Sequence, residues 1–478
     1  VSLSAQTDPR TLPRFDPALI TYAGQITIPD RDSAGNLLSY GAGAAGFSED
    51  GTRLMVGCRQ TASSTGQQDA RGMLWTGTVP AIGGTSQEIA PCTGVPLSEL
   101  EKITGFPGDT FPLLGGVIQK GGRIIANGYL TYDASGLGTP RKTWWVGPDL
   151  AHLSGPVEGS VRNGLVMRDI SRIPPDWQTL LGGDLGVTTG YSSIVSRASY
   201  GPSFTTFWAK DAGAPGFPLN FLLGCPYRDP QTGDDLPQCI AHYGAPTDPG
   251  HYNGSEESAG LFIVPGTRTL IALVRESNGP TCYGYATRDK ALHGTPYPSA
   301  SNPSPENVPW CWSLSDPLNE KGPKGYPYVF LALLYDLTDL VDVKEGRKKP
   351  WNVQHYASYT LPTSTDNFRV GYTGSAAFNA LTGLHYLFRE LYPGGKVDVF
   401  GGFPKEGAAP PPPVDPCVTD PVLLSGIAWP GQTEGARSGR FVWSVATATA
   451  TLTRALWEWG PQRLTVTDSR GCVATVTR

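Results

Sequence analysis

Glu256 and Glu257 are the residues of this 478-residue chain whose type and spacing best fit hydrolytic chemistry. They stand side by side just ahead of an apolar segment, residues 259–274, that reads as an inner hairpin, with His251, Tyr252 and Asn253 upstream. Arg275-Glu276 closes that segment, and Arg197 lies in another stretch with the pattern of an inner strand. Two carboxylates about 5–10 Å apart are what glycosidic cleavage uses, one to protonate the leaving oxygen and one to act on water or the anomeric carbon. Glu256, Glu257 and Arg197 lining a central channel would hold a sugar or an anionic ligand. The competing reading makes the glutamates solvated loop charges and pairs Arg197 with a nearby acid.

Other chemistries find less support. None of the six histidines (His152, His242, His251, His293, His355, His385) has the HExxH spacing of a zinc hydrolase. Asp30, Asp32 and Asn36 alternate as calcium-loop ligands do, but Gly41 stands where a closing bidentate glutamate belongs. An ordinary hairpin turn is the better reading there. Asp229, Asp234 and Asp235, between Cys225 and Cys239, form a second weak calcium candidate. Apart from calcium no cofactor is expected. There is no GxSxG elbow and no GxGxxG fingerprint, and Gly182-Gly183-Asp184-Leu185-Gly186 lacks the GK[ST] that would make it a phosphate cradle.

Composition narrows the partners. A net charge of −5 with no basic stripe argues against nucleic acid, and no apolar run approaches the roughly 20 residues of a membrane span. Val1-Ser2-Leu3-Ser4-Ala5-Gln6 fits either the end of a secretory signal or the start of a processed chain. Eight cysteines without CxxC spacing point to disulfides in an oxidising, extracellular setting. Pairing by order gives Cys58–Cys92, Cys225–Cys239, Cys282–Cys311 and Cys417–Cys472, among about 105 connectivities.

The elements that must position these residues are strands. Gly 60 and Pro 44 with only 17% charged residues favour frequent turns over long amphipathic helices. The segment Tyr22-Ala23-Gly24-Gln25-Ile26-Thr27-Ile28-Pro29 returns as Tyr356-Ala357-Ser358-Tyr359-Thr360-Leu361-Pro362. Tyr40 to Phe47 is likewise echoed by Tyr372 to Phe378. Related sheets at both ends of a long chain are what a closed ring of blades requires. Five hairpins are expected at 45–57, 114–128, 191–208, 259–274 and 374–388, each turning on glycine. The strand around Ile26 is expected to complete the last blade and remove an open edge. The fold class is therefore all-β, a β-propeller of about five blades (six if a long insertion hides one) over residues 15–405. A proline-rich linker, 406–416, leads to a small β-sandwich at 417–478.

Thr465, Val466, Thr467, Asp468, Gly471 and Cys472 resemble the ending of immunoglobulin-like repeats in bacterial surface adhesins. The stretch from Tyr335-Asp336-Leu337 to Trp351-Asn352-Val353, with Cys282-Tyr283-Gly284 and Tyr200-Gly201-Pro202-Ser203, resembles secreted, propeller-like bacterial proteins without an assigned function. The first likeness implies an extracellular Ig-like module, and the second implies a fold and no active site. Trp457 and Trp459 would share one face of a tail strand and supply a binding contact. The leading expectation is a secreted, non-catalytic structural or adhesive component at the cell surface, one copy binding another in a filament or other repeating assembly. A carbohydrate-active enzyme with its site at the ring's channel, taking a glycan, is the main alternative. A phage or virion surface fibre is a second.

Overall fold

Short apolar runs alternate with turn-forming glycines along the first part of the chain, and each run pairs with its successor into an antiparallel sheet. The computed structural model describes residues 8–38, 44–58, 73–94, 112–130, 142–161, 163–166, 168–189, 199, 201–230, 232–236, 239, 256–279, 281–297, 309–314, 321–361, 373–389 and 395–407, with five strands beyond. After β1 (Thr21–Thr27), blade one contains β2 (Ala45–Phe47), β3 (Arg53–Cys58), β4 (Met73–Thr78) and β5 (Glu88–Gly94). Blade two contains β6 (Pro112–Lys120), β7 (Arg123–Leu130), β8 (Lys142–Gly147) and β9 (Ser154–Glu158). Blade three contains β10 (Arg168–Arg172), β11 (Leu185–Thr188), β12 (Phe204–Phe207) and β13 (Asn220–Leu223), with helix α1 (Pro175–Leu181) between its first two strands.

Blade four starts with β14 (Glu257–Ile263) and β15 (Thr269–Ser277). An insertion follows, a separate sheet of β16 (Cys282–Thr287), β17 (Trp310–Trp312) and β18 (Lys321–Lys324). The blade resumes with β19 (Tyr328–Asp336), helix α2 (Leu337–Lys344) and β20 (His355–Thr360). Asp336 caps α2 by accepting from the Thr338 N–H. Blade five contains β21 (Thr373–Asn379), β22 (Leu384–Arg389) and β23 (Lys396–Gly401), and its outer strand is β1.

The fold is thus a five-bladed ring closed by its own N-terminal strand, Thr21 pairing with Gly401 and Thr27 with Lys396. The sequence echo has a structural meaning. Its two first copies, β1 and β20, are the outer strands of consecutive blades, and its two second copies run into the inner strands β2 and β21. Among the described residues, each of the five seams between neighbouring blades holds an apolar core. Aromatic rings fill the wide outer parts of these wedges, as with Trp144, Phe207 and Phe217 between blades two and three.

Near the axis the strands converge and side chains must shrink. A Cβ on Gly46 would lie 1.8 Å from the Val117 carbonyl oxygen, so only glycine lets β2 approach β6. Gly46→Ala is expected to destabilise the ring by at least about 3 kcal/mol, because the obstacle is backbone. Thermal unfolding measures this, and a change below about 1 kcal/mol would show that the two strands can separate freely.

Four of the five expected inner hairpins are the inner strand pairs of blades one, two, four and five. The third, 191–208, is a correction: the inner pair of blade three is β10–β11, and β12 is the third strand. The short β10, Arg-Asp-Ile-Ser-Arg, is charged at both ends and carries no apolar run to reveal it. Cys58–Cys92, Cys225–Cys239 and Cys282–Cys311 are disulfides, as order suggested. Cys417 and Cys472 lie outside the described residues.

The chain divides between Pro410 and Pro411 into two compact units. In the second, β24 (Leu423–Ala428) pairs with β25 (Val442–Ala446). A three-stranded antiparallel sheet is made of β26 (Leu452–Glu458), β27 (Arg463–Asp468) and β28 (Val473–Thr477). Trp457 is on β26, while Trp459 is outside the described residues.

Candidate active site

All five innermost strands start on one face of the ring, called here the leading face. Four of them slip register near that end: between Leu114 and Gly116, Arg168 and Ile170, Ser258 and Gly260, and Thr373 and Ala376. A bulge of this kind re-aims the extra side chain. The extra residues are Gly115, Ala259 and the pair Gly374-Ser375 in blades two, four and five, but Asp169 in blade three. A single carboxyl therefore enters a level of the ring otherwise built from small residues.

Asp169 is 2% exposed and faces blade four. Its Oδ2 accepts the Leu261 N–H at 3.0 Å, and a Cβ on Gly260 would come within 2.9 Å of the same oxygen. Burial pushes its pKa well above the ordinary carboxylate value, against the opposing effect of the Leu261 hydrogen bond. Asp169 is a neutral, proton-holding carboxyl over a pH range where an exposed aspartate is charged. Beside it in the same seam, Thr188 Oγ1 lies 3.4 Å from Ser258 Oγ, and Arg168 is buried.

Glu257 opens β14 on the opposite face of that blade. Its carboxylate meets the Arg275 guanidinium at 2.8 Å, with both side chains buried. The two residues are direct cross-strand partners. The guanidinium also stacks 4.2 Å from the centre of the Tyr328 ring. Asp169 and Glu257 are the acidic residues of the five innermost strands, and they lie on adjacent blades. Between Glu257 and the Leu261 amide run four residues of strand, about 13 Å, so the two carboxyls do not share a proton. Paired carboxyls in divergent environments are what acid–base division of labour requires.

Glu256 sits just before β14, partly exposed at the leading face. Glu276 follows Arg275 on the opposite side of β15, where burial raises its pKa. Arg197, His251, Tyr252 and Asn253 lie outside the described residues. The calcium candidates are placed apart from this site. Asp32 turns its chain, accepting from the Asn36 backbone and side chain and from the Cys92 N–H. Burial opposes its charge, but those hydrogen bonds prevail and hold its pKa below the ordinary value. The Asp229 N–H donates to the Asp234 carbonyl, and Asp235 pairs with Arg228 at 2.8 Å. Among the described residues no three His, Cys, Asp or Glu side chains cluster as a metal site would.

Sequence reasoning missed Asp169 and Tyr328. The signal for Asp169 was a lone acid ending the run Leu165-Val166-Met167-Arg168-Asp169-Ile170. It was obscured because the third inner strand was sought some twenty residues later.

No protein-family model matches the chain, and no curated protein matches it. Among solved structures, it is similar to a glycosyl hydrolase from Bacteroides ovatus, with 10% identity, TM-score 0.37, and 85% of this chain and 96% of that one covered. It is also similar to native Bacillus subtilis arabinanase, with 8% identity, TM-score 0.34, and 75% and 92% coverage. The leading sequence expectation, a non-catalytic structural or adhesive subunit, is corrected at this point. Both of these solved structures bear glycoside-cleaving titles, and neither bears a structural or adhesive one. At such low identity side chains are not transferable, so a functional reading has to come from this chain's own residues.

Proposed function

We propose that this protein is a secreted carbohydrate-active hydrolase working at the leading face of the ring. The observation that carries the reading is Asp169, buried at the leading end of an innermost strand with its pKa raised by that burial, together with partly exposed Glu256 at the same face. Glycoside hydrolysis needs one carboxyl that holds a proton and one that stays ionised. Asp169 supplies the first. Partly exposed Glu256, the rim carboxylate that meets substrate, supplies the second, and Glu257, neutralised by Arg275 on the other face of blade four, fixes the start of β14 beside it. The disulfides support an extracellular setting, and no described helix is long and apolar enough to cross a membrane. Residues 417–478 are read as an appended Ig-like module.

The test is reducing-sugar release from a panel of plant and bacterial polysaccharides. Asp169→Asn keeps the shape of a neutral carboxyl, so the variant is expected to fold while losing about 10²–10⁴ of the rate. Glu256→Gln is expected to lose activity as well. Wild-type protein inert on every polymer, or Asp169→Asn at full activity, would reject the proposal.

A further inference from the structure

The insertion in blade four has an aromatic composition unlike that of the ring. Residues 278–327 contain Tyr283, Tyr285, Tyr297, Trp310, Trp312 and Tyr326 and no phenylalanine, whereas the seams between blades are rich in it. Every ring in the insertion thus carries a hydroxyl or N–H as well as an apolar face, which suits a surface that stays partly wet. Register gathers four of them. The parallel pairing of β16 and β17 sets Tyr285 beside Trp310 and Thr287 beside Trp312, and alternation adds Tyr283 to the same face. Ring contacts agree: Tyr297 stacks on Tyr285 at 4.0 Å and meets Trp310 edge-on at 4.6 Å. Tyr283 is 40% exposed. The Lys290 ammonium lies 4.9 Å over the Trp312 ring, so that ring already attracts a polar group to its face.

The insertion is also tied to the site. It leaves blade four at Ser277 and returns at Tyr328, which are cross-strand partners two residues beyond Arg275. Tyr328 carries the Arg275 guanidinium, its ring meets Tyr326 at 6.0 Å, and Tyr326 meets Trp312 at 4.7 Å. Contacts therefore run without a break from the Glu257 carboxylate to the aromatic face.

We propose that the aromatic face of β16 and β17 is a stacking platform for a neutral glycan chain. Its place in the reaction rests on the hydrolase reading, as the surface that holds the polymer whose cleaved bond lies over the carboxyl pair. Aromatic faces bind the C–H side of a sugar ring, and the hydroxyl and N–H edges meet its hydroxyl groups. A neutral polymer fits because four basic residues (Arg288, Lys290, Lys321, Lys324) balance four acidic ones (Asp289, Glu306, Asp316, Glu320) across the insertion.

The experiment uses the full chain carrying Asp169→Asn, so that binding is read without turnover. Soluble arabinan, xylan and mixed-linkage glucan are the probes, with affinity electrophoresis and tryptophan fluorescence as readouts. At least one polymer is expected to bind and shift the emission. Adding Tyr283→Ala, or Trp312→Phe, which keeps a ring if alanine unfolds the sheet, is expected to weaken binding about fivefold to tenfold with circular dichroism unchanged. In the active chain the same substitutions are expected to raise KM on the polymer. Unaltered binding in both variants, or no binding to any of the three polymers, overturns the platform. A wild-type chain that binds through these rings but cleaves nothing sinks the hydrolase reading and leaves the platform standing.

Discussion

Arg275→Met is expected to lower the free energy of unfolding by about 3–5 kcal/mol, and Glu257→Leu by a similar amount. Each substitution strands the other member of a pair whose side chains are 4% and 0% exposed. An uncompensated buried charge costs more than the intact pair gains, because desolvation of both groups is already counted in the native protein. The double variant, Glu257→Leu with Arg275→Met, removes both charges and is expected to fold within about 1–2 kcal/mol of wild type. Urea denaturation with a common slope gives all four values. Losses near zero in the single variants would mean that water reaches the pair and screens it. The double variant carries a second reading: a protein restored in stability yet still inactive makes the pair a positioning element for Glu256, whereas recovered hydrolysis makes the pair a structural rivet of blade four.

The ring was legible because closure imposes a repeat that the sequence cannot hide. Tyr22 and Tyr356 begin like segments because both face an outer seam, and the glycine turns at 121–122, 266 and 383 require positive φ whatever surrounds them. Blade three resisted because its inner strand is five residues long and its hairpin is replaced by a helix. The site was half legible. Two adjacent glutamates ahead of an apolar hairpin mark the start of β14 in blade four. That only Glu257 is fully buried, and that Arg275 is its partner, follows from strand register, a long-range property. Asp169 was beyond a local reading, because its burial comes from the blade that Gly260 and Leu261 bring against it, ninety residues away.

Acid is expected to destabilise the ring through His385, and His385→Phe to remove much of that effect. The imidazole is 1% exposed on β22, stacked 4.7 Å from Phe262, and neither ring nitrogen has a hydrogen-bond partner among the described residues. Burial drops its pKa from 6.5 to about 3. The sign follows from proton counting. Between those two values the unfolded chain binds a proton that the native protein refuses, so stability is full above the unfolded value and is lost as pH falls. From pH 7 to pH 4 the loss is roughly 3 kcal/mol, with half-buried His355 shifting the same way. Phenylalanine cannot take up the proton and leaves no buried nitrogen unsatisfied, so His385→Phe is expected to gain about 1–3 kcal/mol at pH 7 and more in acid. Asp169 acts in the opposite sense. Its raised pKa makes its contribution full below the ordinary 3.8 and lost as pH rises through the folded value, so Asp169→Asn removes a fall in stability that begins above 3.8. Melting temperatures from pH 3.5 to 9 separate the two. An acid limb equally steep in His385→Phe would assign the destabilisation to another group, and a profile above pH 3.8 untouched by Asp169→Asn would mean that the Asp169 pKa is not raised in the native ring.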